Sequence, residues 1–297
     1  MPSDIIQWFP GHMAKTKRMI RESLPLVDIV IEILDARIPL SSHNPDIERL
    51  AENKPRLILL NKASLADSTV SAKWERYYRS QSTRCILTDC TTGQGLGSIT
   101  AAVRDILSEK VERYEAKGIG KRNLKALVVG IPNSGKSTFI NRMAGANKAK
   151  AENRPGVTRT QQWIRTNIGL DLLDTPGVLW PKFEDVTVGE NLAATGAIKD
   201  SVLDSERVAC IICGRLRQIA KHALAARYKL TEQAIDACET DFDLLCLIGR
   251  KRGFLISGGE IDTERAAAIV TEEFRSGKIG RITLESPPYP TEEEKDL

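Results

Sequence analysis

The chain has 297 residues, 41% of them apolar and 28% charged, ordinary proportions for a globular protein and enough chain for two domains. No apolar run approaches the roughly 20 residues that cross a bilayer, and Met1-Pro2-Ser3-Asp4 does not open a secretory leader, so a cytoplasmic protein is expected. Lys plus Arg exceed Asp plus Glu by 43 to 39, and the excess is gathered in clusters: Lys15-Lys17-Arg18-Arg21, Lys148-Lys150-Arg154-Arg159, Arg215-Arg217-Lys221-Arg227 and Arg250-Lys251-Arg252. Any one cluster reads as a solvated helix face, but several together point to a polyanionic partner.

In chain order, a first helix is predicted over Met13–Ser23, ahead of every strand. Short apolar runs then alternate with amphipathic stretches, the pattern of an α/β protein with a mostly parallel sheet covered by helices. The strands are expected at Ile29–Leu34, Arg56–Leu60, Arg84–Leu87, Ala126–Val129, Gln162–Thr166 and Leu170–Leu173. Helices are expected between them at Pro45–Glu52, Ser68–Ser80, Leu96–Tyr114 and Lys136–Ala144. Lys117-Gly118-Ile119-Gly120-Lys121 reads as a flexible connector. Beyond about Gly189 only helices are expected, over Ser205–Tyr228, Thr231–Glu239, Phe242–Arg250 and Thr263–Gly277, capped by Asp204 or Ser205 and by Thr231. The expected organisation is an N-terminal helical segment (1–24), a nucleotide domain (25–188) and a smaller all-helical C-terminal domain (189–297) with a loose acidic tail. Among six cysteines only Cys210 and Cys213 have CxxC spacing. With no second pair and no nearby histidine, they read as buried thiols rather than a zinc site.

Gly130-Ile131-Pro132-Asn133-Ser134-Gly135-Lys136-Ser137, followed by Thr138, fits G-x-x-x-x-G-K-S between a strand and a helix. Such a loop wraps phosphates with backbone N–H groups, Lys136 neutralises the β- and γ-phosphates, and Ser137 binds Mg²⁺. Asp174-Thr175-Pro176-Gly177 ends a later strand, where Asp174 reaches Mg²⁺ through water and the Gly177 amide senses a γ-phosphate. Between them, Thr158 offers the metal a hydroxyl from a basic loop. Asn61-Lys62-Ala63-Ser64 after the second strand matches N-K-x-D except for its last residue. Asp89-Cys90-Thr91 after the third strand stands where a guanine loop of the S-A-K type belongs, its middle amide facing guanine O6. The base loops therefore precede the phosphate loop and switches, the reverse of the usual order. A P-loop GTPase sheet with its ends rejoined, a circular permutation, accounts for this.

These residues, with Trp8-Phe9-Pro10-Gly11-His12-Met13-Ala14-Lys15, Asp35-Ala36-Arg37-Ile38-Pro39, Arg154-Pro155-Gly156-Val157-Thr158 and Asp174–Lys182, closely resemble the ribosome biogenesis GTPase A family. The resemblance covers the first 190 residues or so and implies GTP hydrolysis in late maturation of the large ribosomal subunit, with contacts to its rRNA. Val178 and Leu179, where Ras-type proteins place a water-orienting Gln, cannot hydrogen-bond a water, so hydrolysis by the chain alone is expected to be slow, on the order of 10⁻⁴ s⁻¹, and stimulated by the ribosome. The resemblance makes His12 a catalytic candidate; packing or capping of the first helix is the alternative. Asn133 resembles the residue that holds K⁺ in potassium-activated GTPases; a loop-structuring role is the alternative. Ser64 departs from the pattern, so guanine affinity is expected to be weakened, with Asp67 a possible substitute acceptor, and Ser64→Asp is expected to tighten binding. A monomer is expected. Two other functions stay open: a GTPase switch on another RNA or membrane-associated complex, and a non-hydrolysing nucleotide-bound RNA scaffold.

Overall fold

The computed structural model describes residues 13–51, 53–118, 122–145, 161–180, 183 and 185–288. Six strands, β1 (Ile29–Asp35), β2 (Arg56–Asn61), β3 (Arg84–Leu87), β4 (Leu124–Val129), β5 (Gln162–Ile164) and β6 (Leu170–Asp174), form one sheet in the order β3-β2-β1-β4-β6-β5. All neighbours are parallel except β5, which runs antiparallel to β6 at the edge. Every residue of β1 is buried, because helices cover both faces of a parallel sheet and its central strand has no wet side. Ile29, Ile31 and Ile33 point into one layer with Leu57, Leu59, Val128 and Phe139, while Val30 and Leu34 point into the other. From the centre, β1-β2-β3 proceed to one edge and β4-β6-β5 to the other. The C-terminal ends of β1 and β4 thus flank the switch point where open parallel sheets take ligands.

The described helices are α1 (Met13–Ser23), α2 (Pro45–Leu50), α3 (Ser68–Ser80), α4 (Ile99–Ile106), α5 (Ser108–Ala116), α6 (Lys136–Ala144), α7 (Val186–Ala194), α8 (Ser205–Ile219), α9 (Lys221–Tyr228), α10 (Glu232–Asp236), α11 (Asp241–Lys251) and α12 (Thr263–Arg275). Side-chain caps set many of the starts: Asp67 on Val70 N, Asp204 on Glu206 N and Arg207 N, Thr231 on Ala234 N, and a reciprocal Thr240–Asp243 box on α11.

Three expectations require correction. The helix predicted over Leu96–Tyr114 breaks at Leu107, whose backbone (φ −104°, ψ 22°) leaves the helix while its side chain stays buried, and α5 then brings Lys110 to Asp28. The helix predicted over Ser205–Tyr228 breaks at Ala220 (φ −145°, ψ 36°), which lets Leu224, Ala225 and Tyr228 enter the core at a new angle. Neither break has a Pro or Gly to announce it. The helix α7 was not anticipated; it lies across the expected boundary at 188/189.

That boundary is also bridged by packing. Ile38, Ile131, Leu179 and Phe183 from the sheet half share one buried cluster with Leu192, Ile212, Leu216, Ile248, Val270 and Phe274 from the helical half. Arg37, 2% exposed, is held by Asp35 through Nε at 2.9 Å and Nη2 at 2.7 Å, donates from Nη1 to the Arg275 carbonyl at 3.3 Å, and lies over the Phe274 ring. Residues 281–285 then strap back over the sheet, where Ile282 N donates to Leu65 O, Leu284 N to Arg37 O, and the Glu285 carboxylate accepts from Leu40 N and Asn191 Nδ2.

Candidate nucleotide site

The loop Gly130–Ser137 joins β4 to α6 at the switch point. Gly135 has φ 98°, and a Cβ there would lie 2.2 Å from Asn61 Nδ2, so only glycine serves. The N-cap of α6 is this glycine and makes no side-chain capping bond, which leaves the first amides of the helix to other acceptors. Lys136 lies 6% exposed under the loop, its Nζ donating to Gly130 O at 2.9 Å and Ile131 O at 2.7 Å. Burial lowers its ammonium to about 8, against the attraction of Asp174, and the nearby Lys62 adds to the depression. The buried Lys136, with the half-buried Lys62 near enough to depress it, makes this a place where an anion is favoured. Ser134 donates to Ile131 O, Asn133 Nδ2 donates to Gly196 O at 2.7 Å beyond α7, and Ser137 and Thr138 stand half-buried in the first turn of α6.

Asp174 ends β6 beside the loop. Burial raises its carboxyl to about 6 in spite of Lys136, and its Oδ1 is buried with no hydrogen-bond partner among the described residues. Gly177 crosses the loop so closely that a Cβ would lie 2.9 Å from Lys136 Nζ and from Pro132 N. Val178 N donates to Gly130 O, and Val178 and Leu179 are both buried, so neither side chain faces the loop's ligand side.

The two expected base loops meet because β2 and β3 run parallel in the register Leu60↔Leu87. Asn61, 2% exposed, is a strut among three loops: its Nδ2 donates to Ser134 O at 2.8 Å and its Oδ1 accepts from Cys90 N at 3.0 Å. The Cys90 amide, expected to face guanine, therefore has Asn61 as its acceptor here. Lys62 takes a left-handed backbone (φ 62°) and donates to Asp35 at 2.8 Å. Ser64 donates through its hydroxyl and its amide to Asp89 Oδ2, and Thr91 N and Thr92 N donate to Asp89 Oδ1. Burial pushes the Asp89 carboxyl up, but these donors, Ser64 first, outweigh it and hold it below the usual value. Arg142 of α6 braces the same loop at Cys90 O and Thr91 O. Asp67 is not a substitute for an acid at 64, since its Oδ1 caps α3 at Val70 N. His12, Thr158 and the Arg154–Val157 segment lie outside the described residues.

A model of the family described as "50S ribosome-binding GTPase" matches residues 125–237, which begins at β4 and leaves both base loops outside the match. Ribosome biogenesis GTPase A of Bacillus cereus is 47% identical over 296 residues, covering 99% of this chain and 98% of that protein. The Thermotoga maritima protein of the same name is 32% identical over 95% of each chain. The chain belongs to the ribosome biogenesis GTPase A family. It is a GTP-hydrolysing enzyme whose P-loop domain is circularly permuted. A structure titled as GNP-bound YlqF from T. maritima agrees with this fold, with 28% identity and a TM-score of 0.62 over 92% of this chain and 99% of that one. A mouse mitochondrial ribosome-associated GTPase 1 is 31% identical over 97% of this chain and 92% of its own.

For a member of this family, sequence reasoning missed three contacts: the Ser64–Asp89 pair, the Asn133–Gly196 contact, and Arg281, which donates to Ala63 O and Ala66 O and braces the Asn61–Ser64 loop from the C-terminal strap. Only the first had a signal, since adjacent parallel strands place the residues after their C-terminal ends side by side.

Proposed function

We propose that this chain is an assembly factor that binds immature large ribosomal subunits and their rRNA in its GTP state and leaves after hydrolysis, acting as a monomer in the cytoplasm. The observation that carries the reading is the wiring after β6: the Gly177 segment passes over the phosphate loop and runs through Leu179 and Phe183 into the core of the helical half. A change at the phosphates is therefore mechanically linked to the position of a domain with exposed basic residues at Arg250 and Lys251. Lys136 and the amides of the loop from Asn133 to Thr138 bind the phosphates, and the loops Asn61–Ser64 and Asp89–Thr91 form the base site, with Asn61, Lys62, Asp89 and Cys90 bracing them.

Mg²⁺ fits this donor set. Ser137, Thr158 and, through water, Asp174 would hold it, and the buried Oδ1 of Asp174, unpartnered among the described residues, suits a coordinated water. Among the described residues no group of three acidic, His or Cys side chains forms a metal cluster. When bound, the ion offsets charge on the β- and γ-phosphates. Asn133 is also the residue we assign to K⁺, its Nδ2 bond to Gly196 O fixing the side chain beside the loop.

With Val178 and Leu179 buried, neither orients the attacking water, so turnover alone is slow, and the ribosome completes the site by fixing this chain's own His12 there. GTPase rates with purified large subunits, small subunits and transfer RNA test the reading. Stimulation by large subunits alone is expected; equal stimulation by the others, or none, overturns it. His12→Ala lowers the stimulated rate while GTP affinity stays within about twofold, the pattern of a group used only in the transition state.

A further inference from the structure

Guanine presents two donors on one edge, N1–H and N2–H₂, and reading them requires acceptors. The base loop of this chain ends on a serine, which is by itself ambiguous, because a hydroxyl rotates and serves as donor or acceptor. Its surroundings remove the ambiguity. Ser64 is exposed at the loop, and Asp89 lies behind it, 2% exposed. Donors that cannot turn away surround the Asp89 carboxylate: Thr91 N–H and Thr92 N–H on Oδ1 at 2.8 and 2.9 Å, and Ser64 N–H on Oδ2 at 3.3 Å. The remaining neighbour is the Ser64 hydroxyl, on Oδ2. Asp89 so surrounded is ionised and has no proton to give, so the hydroxyl proton of Ser64 points inward and the lone pairs of its Oγ point out.

We propose that Ser64 and Asp89 together replace the single aspartate of the base loop: Ser64 Oγ accepts from the N1–H and N2–H₂ edge of guanine, and Asp89 is the positioning residue that prevents the hydroxyl from donating. The inference rests on Asn61–Ser64 being the base loop of the GTP site. It reverses the expectation that an acid restored at 64 tightens binding. Ser64→Asp sets a second carboxylate against Asp89, and two like charges at hydrogen-bond distance oppose each other's ionisation. The acid can return only if Asp89 gives up its charge.

The test is calorimetric titration of the full-length parent, Ser64→Asp, Asp89→Asn and the double variant with GDP, IDP and XDP, with Lys136→Ala as the control for the nucleotide site. Ser64→Asp alone should bind GDP at least tenfold more weakly than the double variant, which should match or exceed the parent by up to about tenfold. Asp89→Asn should shift the XDP-to-GDP affinity ratio about tenfold toward XDP, because its amide donates to Oγ and frees the hydroxyl to donate to the 2-oxo group. The asparagine oxygen still accepts from Thr91 N and Thr92 N, so the Asp89–Thr92 turn keeps its bonds, while the longer Ser64 N–H contact is lost; melting curves check the fold. Ser64→Asp binding GDP as tightly as the double variant overturns the proposal, as does Asp89→Asn with the parent's nucleotide ratios. Should those ratios hold while Lys136→Ala abolishes GDP binding, the couple is refuted and the nucleotide site stands. GDP binding that survives Lys136→Ala unchanged removes the site itself.

Discussion

Arg37→Ala should be among the most destabilising single changes in this protein, for a reason visible only in three dimensions. Arg37 is buried and makes two short bonds to Asp35, one to the Arg275 carbonyl, and a stacking contact with Phe274. Truncation leaves Asp35 buried with Lys62 as its remaining cationic partner at 2.8 Å and strips the Arg275 carbonyl of that donor. Breaking one side of a buried ion pair costs about 3–5 kcal/mol, a large part of the 5–15 kcal/mol that typically separates folded from unfolded chains. Burial pushes the Asp35 carboxyl up, but Arg37 and then Lys62 outweigh it and hold it well below its ordinary 3.8. The sign follows: a carboxyl depressed in the fold contributes stability that is present above its unfolded value and is lost as pH falls below about 4. Urea denaturation of parent, Arg37→Ala and Arg37→Met/Asp35→Leu at pH 7 measures the terms. The single change should lower the midpoint sharply, the apolar pair should recover most of it, and the parent's extra stability over Arg37→Ala should shrink on acidification below pH 4. A loss under about 1 kcal/mol at pH 7, or a difference that does not shrink in acid, would refute the reasoning.

Lys136→Ala should abolish measurable GTP and GDP binding in calorimetry, since it removes the buried cation under the phosphate loop; Ser137→Ala should abolish the Mg²⁺-dependent part of affinity. Asp174 is raised to about 6 by burial, so in the Mg²⁺-dependent component GDP affinity should fall roughly tenfold between pH 7 and 5 as the carboxyl protonates, and Asp174→Asn should flatten that component. A pH slope that survives the substitution assigns the titration to another group. Complexes with large subunits and a non-hydrolysable GTP analogue should weaken steeply with salt at fixed K⁺, because Lys and Arg on RNA phosphates release counterions. A flat response counts against the basic surfaces as an RNA contact.

Much of this protein follows from local pattern. The five parallel strands were legible because a parallel sheet buried on both faces writes apolar runs, and all six strands agree with expectation to within two residues at either end. The β5 strand is shorter, Gln162–Ile164, since it lies at the edge and pairs only with β6. The phosphate loop and Asp174-Thr175-Pro176-Gly177 were legible because phosphate binding needs particular residues at fixed spacing, and the permuted order followed from listing them along the chain. What the sequence could not decide depends on groups far apart in it. Leu107 and Ala220 break helices that no Pro or Gly interrupts, because burying Leu107 and seating Tyr228 outweigh helical continuity. Arg37 meets Arg275, Asn133 meets Gly196 and Arg281 meets Ala63 only once the helical half is docked. Ser64 read alone is a weakened acceptor. Beside Asp89 it has a fixed orientation, and that follows from the register of β2 on β3, a long-range pairing that the two strand runs suggest but only the folded sheet sets.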